Sequence, residues 1–174
     1  MKLPVFAVFS LHLLAAAAQA QTLPEEFRKE WPDFRYLEPK QLRQLPAPVC
    51  ADLESRGCRI PMFTKWDGPH NAIAGQFLEA GRQDWAVLCA SDGKTAILVY
   101  PGGTADAVQP LRTEASDPRR LLHPVSAFVL TKRALRDQQG EQPVQPFDHD
   151  AIEDGPIGMP GRVIYHRAGE WMLL

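Results

Sequence analysis

Residues Asp84 to Tyr100 read DWAVLCASDGKTAILVY. The run Asp84-Trp85-Ala86-Val87-Leu88-Cys89-Ala90 is apolar at consecutive positions, so both of its faces must be covered, as in a central strand. Asp92-Gly93 supplies the residue types that tolerate the left-handed backbone of a tight two-residue turn, and Thr95-Ala96-Ile97-Leu98-Val99-Tyr100 returns as the β-branched partner. This stretch predicts a buried antiparallel hairpin, and the rest of the fold is read outward from it.

Upstream, Asn71 to Phe77 reads as a further strand after the Gly68-Pro69 break. Earlier still the pattern is helical from Thr22 to Gly57. Pro24 opens Glu25 to Trp31, Pro39 opens Lys40 to Leu45, and Pro48 to Ser55 forms a short helix ended by Gly57. Downstream, Pro101-Gly102-Gly103 ends the hairpin, and the stretch to Pro124 reads as loop with at most one strand near Ala107 to Leu111. Ser126 to Leu130 is a strand, Thr131 to Gln138 a short helix, and Gly140 to Pro146 a linker. An acidic segment, Asp148 to Asp154, leads into a second hairpin, Arg162 to His166 and Glu170 to Leu173, joined through Ala168-Gly169. No internal repeat of useful length is visible. Strands and helices are segregated, which predicts an α+β fold: a small, mainly antiparallel sheet with short N-terminal helices.

The first twenty residues carry one charge, Lys2, then an apolar alanine-rich run closing on Ala18-Gln19-Ala20, the form of a cleavable export signal. Residues 1–20 are therefore read as a signal peptide and 21–174 as one domain, periplasmic or secreted. No later segment is long and apolar enough to span a bilayer. Lys2 is one of 19 basic residues set against 21 acidic ones, so the mature chain carries a net charge of about −3. With basic residues adjacent only in pairs such as Arg119-Arg120, the chain lacks the clustered cations that phosphate binding requires, which argues against a nucleic-acid partner.

Three cysteines, Cys50, Cys58 and Cys89, in a chain bound for an oxidising compartment imply one disulfide and one odd thiol. A helix between Cys50 and Cys58 holds them roughly 10 Å apart at ~1.5 Å per residue, beyond the ~7 Å that a bridge tolerates between Cα atoms. A Cys58–Cys89 bridge is favoured, stapling the helical part to the sheet and leaving Cys50 as a thiol. The absence of CxxC speaks against redox catalysis.

The densest set of ligand-type side chains lies in Phe147 to Gly155. Asp148 and Asp150, with Glu153 or Asp154, supply the oxygen atoms that a hard cation such as calcium needs. The competing reading is a surface loop in which Asp148 or Asp150 caps a short helix. His70, His123, His149 and His166 are dispersed without zinc-ligand spacing, and no G-x-S-x-G elbow is present. Trp66 beside Lys65, Asp67 and Gly68, together with His70, is the candidate ligand contact. Trp85, Trp171, Phe77, Tyr100, Phe128 and Tyr165 read mainly as core. Two functions follow: an exported, non-catalytic binding or structural module for a protein or small molecule, with no cofactor; or a metal-assisted hydrolase centred on Asp148, His149 and Asp150 with His70.

Gly75 to Val87, and more loosely the chain to Gly103, resembles the FG-GAP or VCBS-type repeat, whose blade-forming units carry a glycine, an acidic calcium loop and an apolar strand. Gln76, Leu78 and Ala80 stand where that family has acidic ligands, leaving Asp84. The resemblance therefore implies strand geometry and not the calcium site. From about Leu45 to Trp171 the chain also resembles a group of uncharacterised secreted bacterial proteins. That likeness rests on Arg56-Gly57-Cys58, Ile60-Pro61, Pro69-His70-Asn71, Asp84 to Cys89, Asp148-His149-Asp150 and Gly169-Glu170-Trp171; it places Cys58 and Cys89, but not Cys50, in matching segments.

Overall fold

The structure, a computed structural model, describes residues 25–65, 69–115, 125–128, 147–155 and 160–174. Its centre is the hairpin expected from Asp84 to Tyr100. Strands β4 (Asp84–Ser91) and β5 (Lys94–Tyr100) pair antiparallel around Asp92-Gly93, whose φ angles of 48° and 68° are those the turn demands. Strand β3 (Ala72–Gly75) flanks β4, and β6 (Gln109–Ala115) flanks β5, giving one four-stranded sheet of order β3-β4-β5-β6.

The two faces of that sheet meet different layers, which is why β4 carries no polar alternation. On one face Trp85, Val87, Cys89, Leu98 and Tyr100 pack with Val49 and Leu53 of helix α2 (Ala47–Ser55) and with Ile60. On the other, Ala86, Leu88, Ile97 and Val99 pack with Ile73, Phe77, Leu78 and Ile152, and Trp171 lies against them. Ile152 and Trp171 belong to a second four-stranded sheet, of order β10-β9-β8-β7, built from β7 (Val125–Phe128), β8 (Ala151–Asp154), β9 (Arg162–Arg167) and β10 (Glu170–Leu173). A two-stranded ribbon, β1 (Phe34–Leu37) with β2 (Ile60–Phe63), joins α2 on the first face. The order of layers is therefore helix and ribbon, first sheet, second sheet. Every strand pairing among the described residues is antiparallel.

Helix α2 ends where Gly57 takes φ 65°, letting the Cys58 amide reach back to Leu53 O at 2.9 Å. The reversal delivers Cys58 to the sheet, where it is bonded to Cys89 with Cα atoms 5.1 Å apart; Cys50 is a free, half-buried thiol. The α+β class and the disulfide are those expected from the sequence.

Other expectations are corrected. The four-stranded sheet does begin after Gly68-Pro69, with β3, but a separate ribbon, β1 with β2, precedes it where a helical pattern was read from Thr22 to Gly57 and no strand was expected before Asn71. Their four-residue runs lie between helix-type signals that masked them. Lys40 to Leu45 is not a helix: a single 3-10 turn, Pro39–Gln41, is all that forms there. The one strand allowed near Ala107 to Leu111 does form, but it is longer and lies further along, as the seven-residue β6, with Pro110 tolerated on its edge position and a register shift opposite Ile97 and Leu98. The acidic segment divides: Asp148 to Asp150 are irregular, as a loop should be, but no helix follows for them to cap, because residues 151–154 are the inner strand β8, with Ile152 fully buried. The helix expected at Thr131 to Gln138, the linker Gly140 to Pro146 and the signal peptide lie outside the described residues.

A short repeat is present after all. His70-Asn71-Ala72-Ile73 enters β3 and His149-Asp150-Ala151-Ile152 enters β8; each is followed by a hairpin, turning at Asp92-Gly93 and at Ala168-Gly169, both with positive φ at the two turn residues. Ile73 pairs with Ala86 and Ala86 with Val99 in one meander, and Ile152 with Ile164 and Ile164 with Leu173 in the other. The second hairpin is two residues shorter per strand between the pairing residue and the turn, and the three-stranded units carry their fourth strands, β6 and β7, on opposite edges.

Candidate functional site

The side chains with chemical potential gather along the seam between the two sheets. Asp150 forms the closest tie: its amide donates to Gln76 O at 2.9 Å, and its Oδ2 accepts the Gln76 amide at 2.9 Å. Asp154, 6 % exposed, faces Arg112 of β6 in a two-pronged pair, Nε to Oδ2 at 3.0 Å and Nη2 to Oδ1 at 3.1 Å. Trp171 Nε1 donates to Gln109 Oε1 at 3.0 Å, and His166 Nδ1 donates to Leu78 O at 3.1 Å. Each bond crosses from one sheet to the other.

The remaining acids of the segment are engaged within the second sheet. Glu153 Oε1 accepts the Gly161 amide at 2.9 Å, which holds the return into β9. The close approach of Gly155 and Gly161 there leaves no room for a Cβ on either residue. Asp148 Oδ1 accepts the Tyr165 hydroxyl at 3.0 Å, and burial is the leading cause of the raised Tyr165 pKa. The His149 ring stacks on Tyr165 at 4.3 Å between centroids, and its Nδ1 donates to Asp150 O at 3.0 Å. Asp148 is the one carboxylate of the set that is largely exposed. Asp148, Asp150, Glu153 and Asp154 thus go to four separate partners. Among the described residues no group of three or more His, Cys, Asp or Glu side chains comes together as a cation site.

His70 lies elsewhere, in the first layer. It is 2 % exposed, and its Nε2 accepts the Phe63 amide at 3.0 Å, so the neutral ring carries its proton on Nδ1. Beside it Asn71, at φ 58°, donates from Nδ2 to Pro61 O at 2.6 Å. The pair pegs β2 to the start of β3, and His70 is not brought together with Asp148 or Asp150. Trp66, its expected companion, lies outside the described residues, as do His123 and the Phe128 side chain. Trp85, Phe77, Tyr100 and Tyr165 are buried, as core aromatics should be, and Trp171 is half-buried.

Two carboxylates outside the acidic segment matter as much. Asp84, fully buried, accepts the Leu78 and Gly102 amides and the Arg82 Nε, each at 2.9 Å. It gathers the loop before β4 and the turn after β5 onto one side chain. Asp52 of α2 accepts the Tyr100 hydroxyl at 2.9 Å and the Arg56 Nε at 2.6 Å. Burial works to raise the Asp52 pKa, but the hydrogen bonds from Arg56 and Tyr100 outweigh it and the net shift is downward. The partner Tyr100 phenol is pushed well above its ordinary range, first by burial and then by its bond to Asp52. Sequence reading noted Asp84 only as the remnant of a calcium loop and passed over Asp52. The i, i+4 spacing of Asp52 and Arg56 on a helix was the available signal.

Comparison with known proteins finds no matching family model, no matching curated relative and no matching solved structure. No helix among the described residues is long and apolar enough to cross a membrane.

Proposed function

We propose that this protein is an exported, non-catalytic binding or structural module, its two stacked meanders acting as a rigid body that presents its surface to a protein or small-molecule partner. One observation carries the reading: Asp150, Asp154, Glu153, His70 and His166 each commit at least one polar side-chain atom to a backbone or side-chain partner that fastens one layer or turn to another. A general acid, base or metal ligand needs a free, aimed lone pair or proton. Export is supported by the N-terminal charge, apolar and small-residue pattern and by the Cys58–Cys89 bridge, which suits an oxidising compartment. Stacked four-stranded antiparallel meanders also accord with the proposed kinship to blade-forming FG-GAP units, in which the amide-gathering Asp84 occupies the place of a calcium ligand.

The test is a hydrolase panel on the purified chain, paired with calorimetric titration of calcium, magnesium, manganese and zinc. The expected result is no turnover and no heat of binding. Turnover abolished by Asp148→Asn would establish the metal-assisted hydrolase instead; Asp148 is suited to that variant because its exposed side chain can be changed with little effect on folding.

A further inference from the structure

We infer that the outer edge of β10, unpaired among the described residues, is a self-pairing surface, through which two copies of the chain join their second sheets into one continuous antiparallel sheet. The inference concerns assembly and is independent of whether the protein turns over a substrate.

Hairpin phase decides what that edge offers. The two-residue turn Ala168-Gly169 makes Arg167 and Glu170 a hydrogen-bonded pair, and such pairs alternate along an antiparallel ladder. The Leu174 amide bonded to Val163 O at 2.9 Å confirms the phase at the far end. Glu170, Met172 and Leu174 therefore turn their backbone groups toward β9, while Trp171 and Leu173 aim theirs outward. Among the described residues no strand pairs with that outer side.

Side chains on the same strand are left equally open. Met172 at 40 % and Leu173 at 66 % exposure are the large hydrophobics left exposed among the described residues, and both sit on β10. Natural sheet edges are normally guarded by proline, lysine, charge or a bulge. The β6 edge of the first sheet has such guards: Pro110, Arg112 and a register irregularity. Strand β10, with the sequence EWML, has one charge at its beginning and none after it.

The outward groups are self-complementary. An antiparallel two-fold pairing centred on Met172 makes Trp171 and Leu173 hydrogen-bonded partners of Leu173 and Trp171 in the second copy. Met172 then stands opposite Met172 as a non-hydrogen-bonded pair, for which Cα atoms lie about 4.5 Å apart. The facing pairs of the ladder, Trp171 with Leu173 and Met172 with Met172, are all apolar, so both exposed side chains gain an apolar neighbour on their own face. An unrelated extended peptide would find the same backbone groups but not this reciprocal match.

The experiment uses the purified chain carrying Cys50→Ser to silence the free thiol. Sedimentation should show a concentration-dependent dimer, and Met172→Lys, which sets two ammonium groups against each other, should lose it while keeping the parent's thermal midpoint at concentrations where both are monomeric. Independently, Met172→Cys should yield an intermolecular disulfide dimer on a non-reducing gel. Leu173→Cys should not, because its own copy lies diagonally across at about 7–8 Å, beyond disulfide reach. A chain that is monomeric at all concentrations, a dimer that survives Met172→Lys, or equal cross-linking at positions 172 and 173 would each overturn the assignment.

Discussion

Asp84 has a role that its sequence position did not announce. It is the one ligand-type residue left of the resembled calcium loop, and the resemblance implied strand geometry there and no cation. Instead the loop folds back so that two amides and a guanidinium supply the positive charge directly. Replacing Asp84 by Ala should cost about 3 kcal/mol, because it strands backbone donors that the native carboxylate satisfies; Asp84→Asn should recover part of that, and urea denaturation measures both. Asp52 makes a pH prediction. Its folded pKa is depressed, so its contribution to stability is complete above the unfolded value of 3.8 and is lost as pH falls through the folded value. Acid unfolding monitored by fluorescence should therefore be shallower below pH ~4 in Asp52→Asn than in the parent. Neither carboxylate could be assigned from spacing alone, because Tyr100 and Gly102 reach them only through the fold.

At the scale of elements, legibility followed length and punctuation. The Asp84–Tyr100 and Arg162–Leu173 hairpins were readable because a left-handed dipeptide separates two β-rich runs, and α2 because proline precedes it and Gly57 closes it. Strands β1 and β2 were not, since four residues carry too little pattern to be told from a connection; what makes them strands is their mutual pairing and the aromatic cluster of Phe27, Phe34 and Phe63 beneath. The repeat was missed for the same reason, as its shared signature is a four-residue entry. The disulfide could be ranked from sequence because a helix sets a distance. Its loop spans 31 residues, so chain entropy assigns it roughly 3–4 kcal/mol. Cys58→Ala with Cys89→Ala should lower the denaturation free energy by about that much, with the native circular dichroism spectrum retained in the absence of denaturant.

For the molecule as a whole, the seam between the sheets sets the balance. The Arg112–Asp154 pair is nearly enclosed, at 17 % and 6 % side-chain exposure. Asp154→Ala should be destabilising by about 3–5 kcal/mol, since it removes the two-pronged acceptor of a nearly enclosed guanidinium. Replacing both residues by Met and Leu should cost much less, and a double-mutant cycle in denaturant separates the two outcomes. The seam was invisible in the sequence because its partners come from segments far apart in the chain, and their residue types are those of any solvated loop.

The double-sided burial of β4 bears on how the protein comes apart. A strand that is the floor of one layer and the ceiling of another gives neither neighbour an independent interior, so peeling away either one bares the remaining body to water. Heating should consequently melt helix, ribbon and both sheets in a single event, with calorimetric and van't Hoff enthalpies equal, and the amides of Ala86 to Cys89 should be the last to exchange with solvent deuterium.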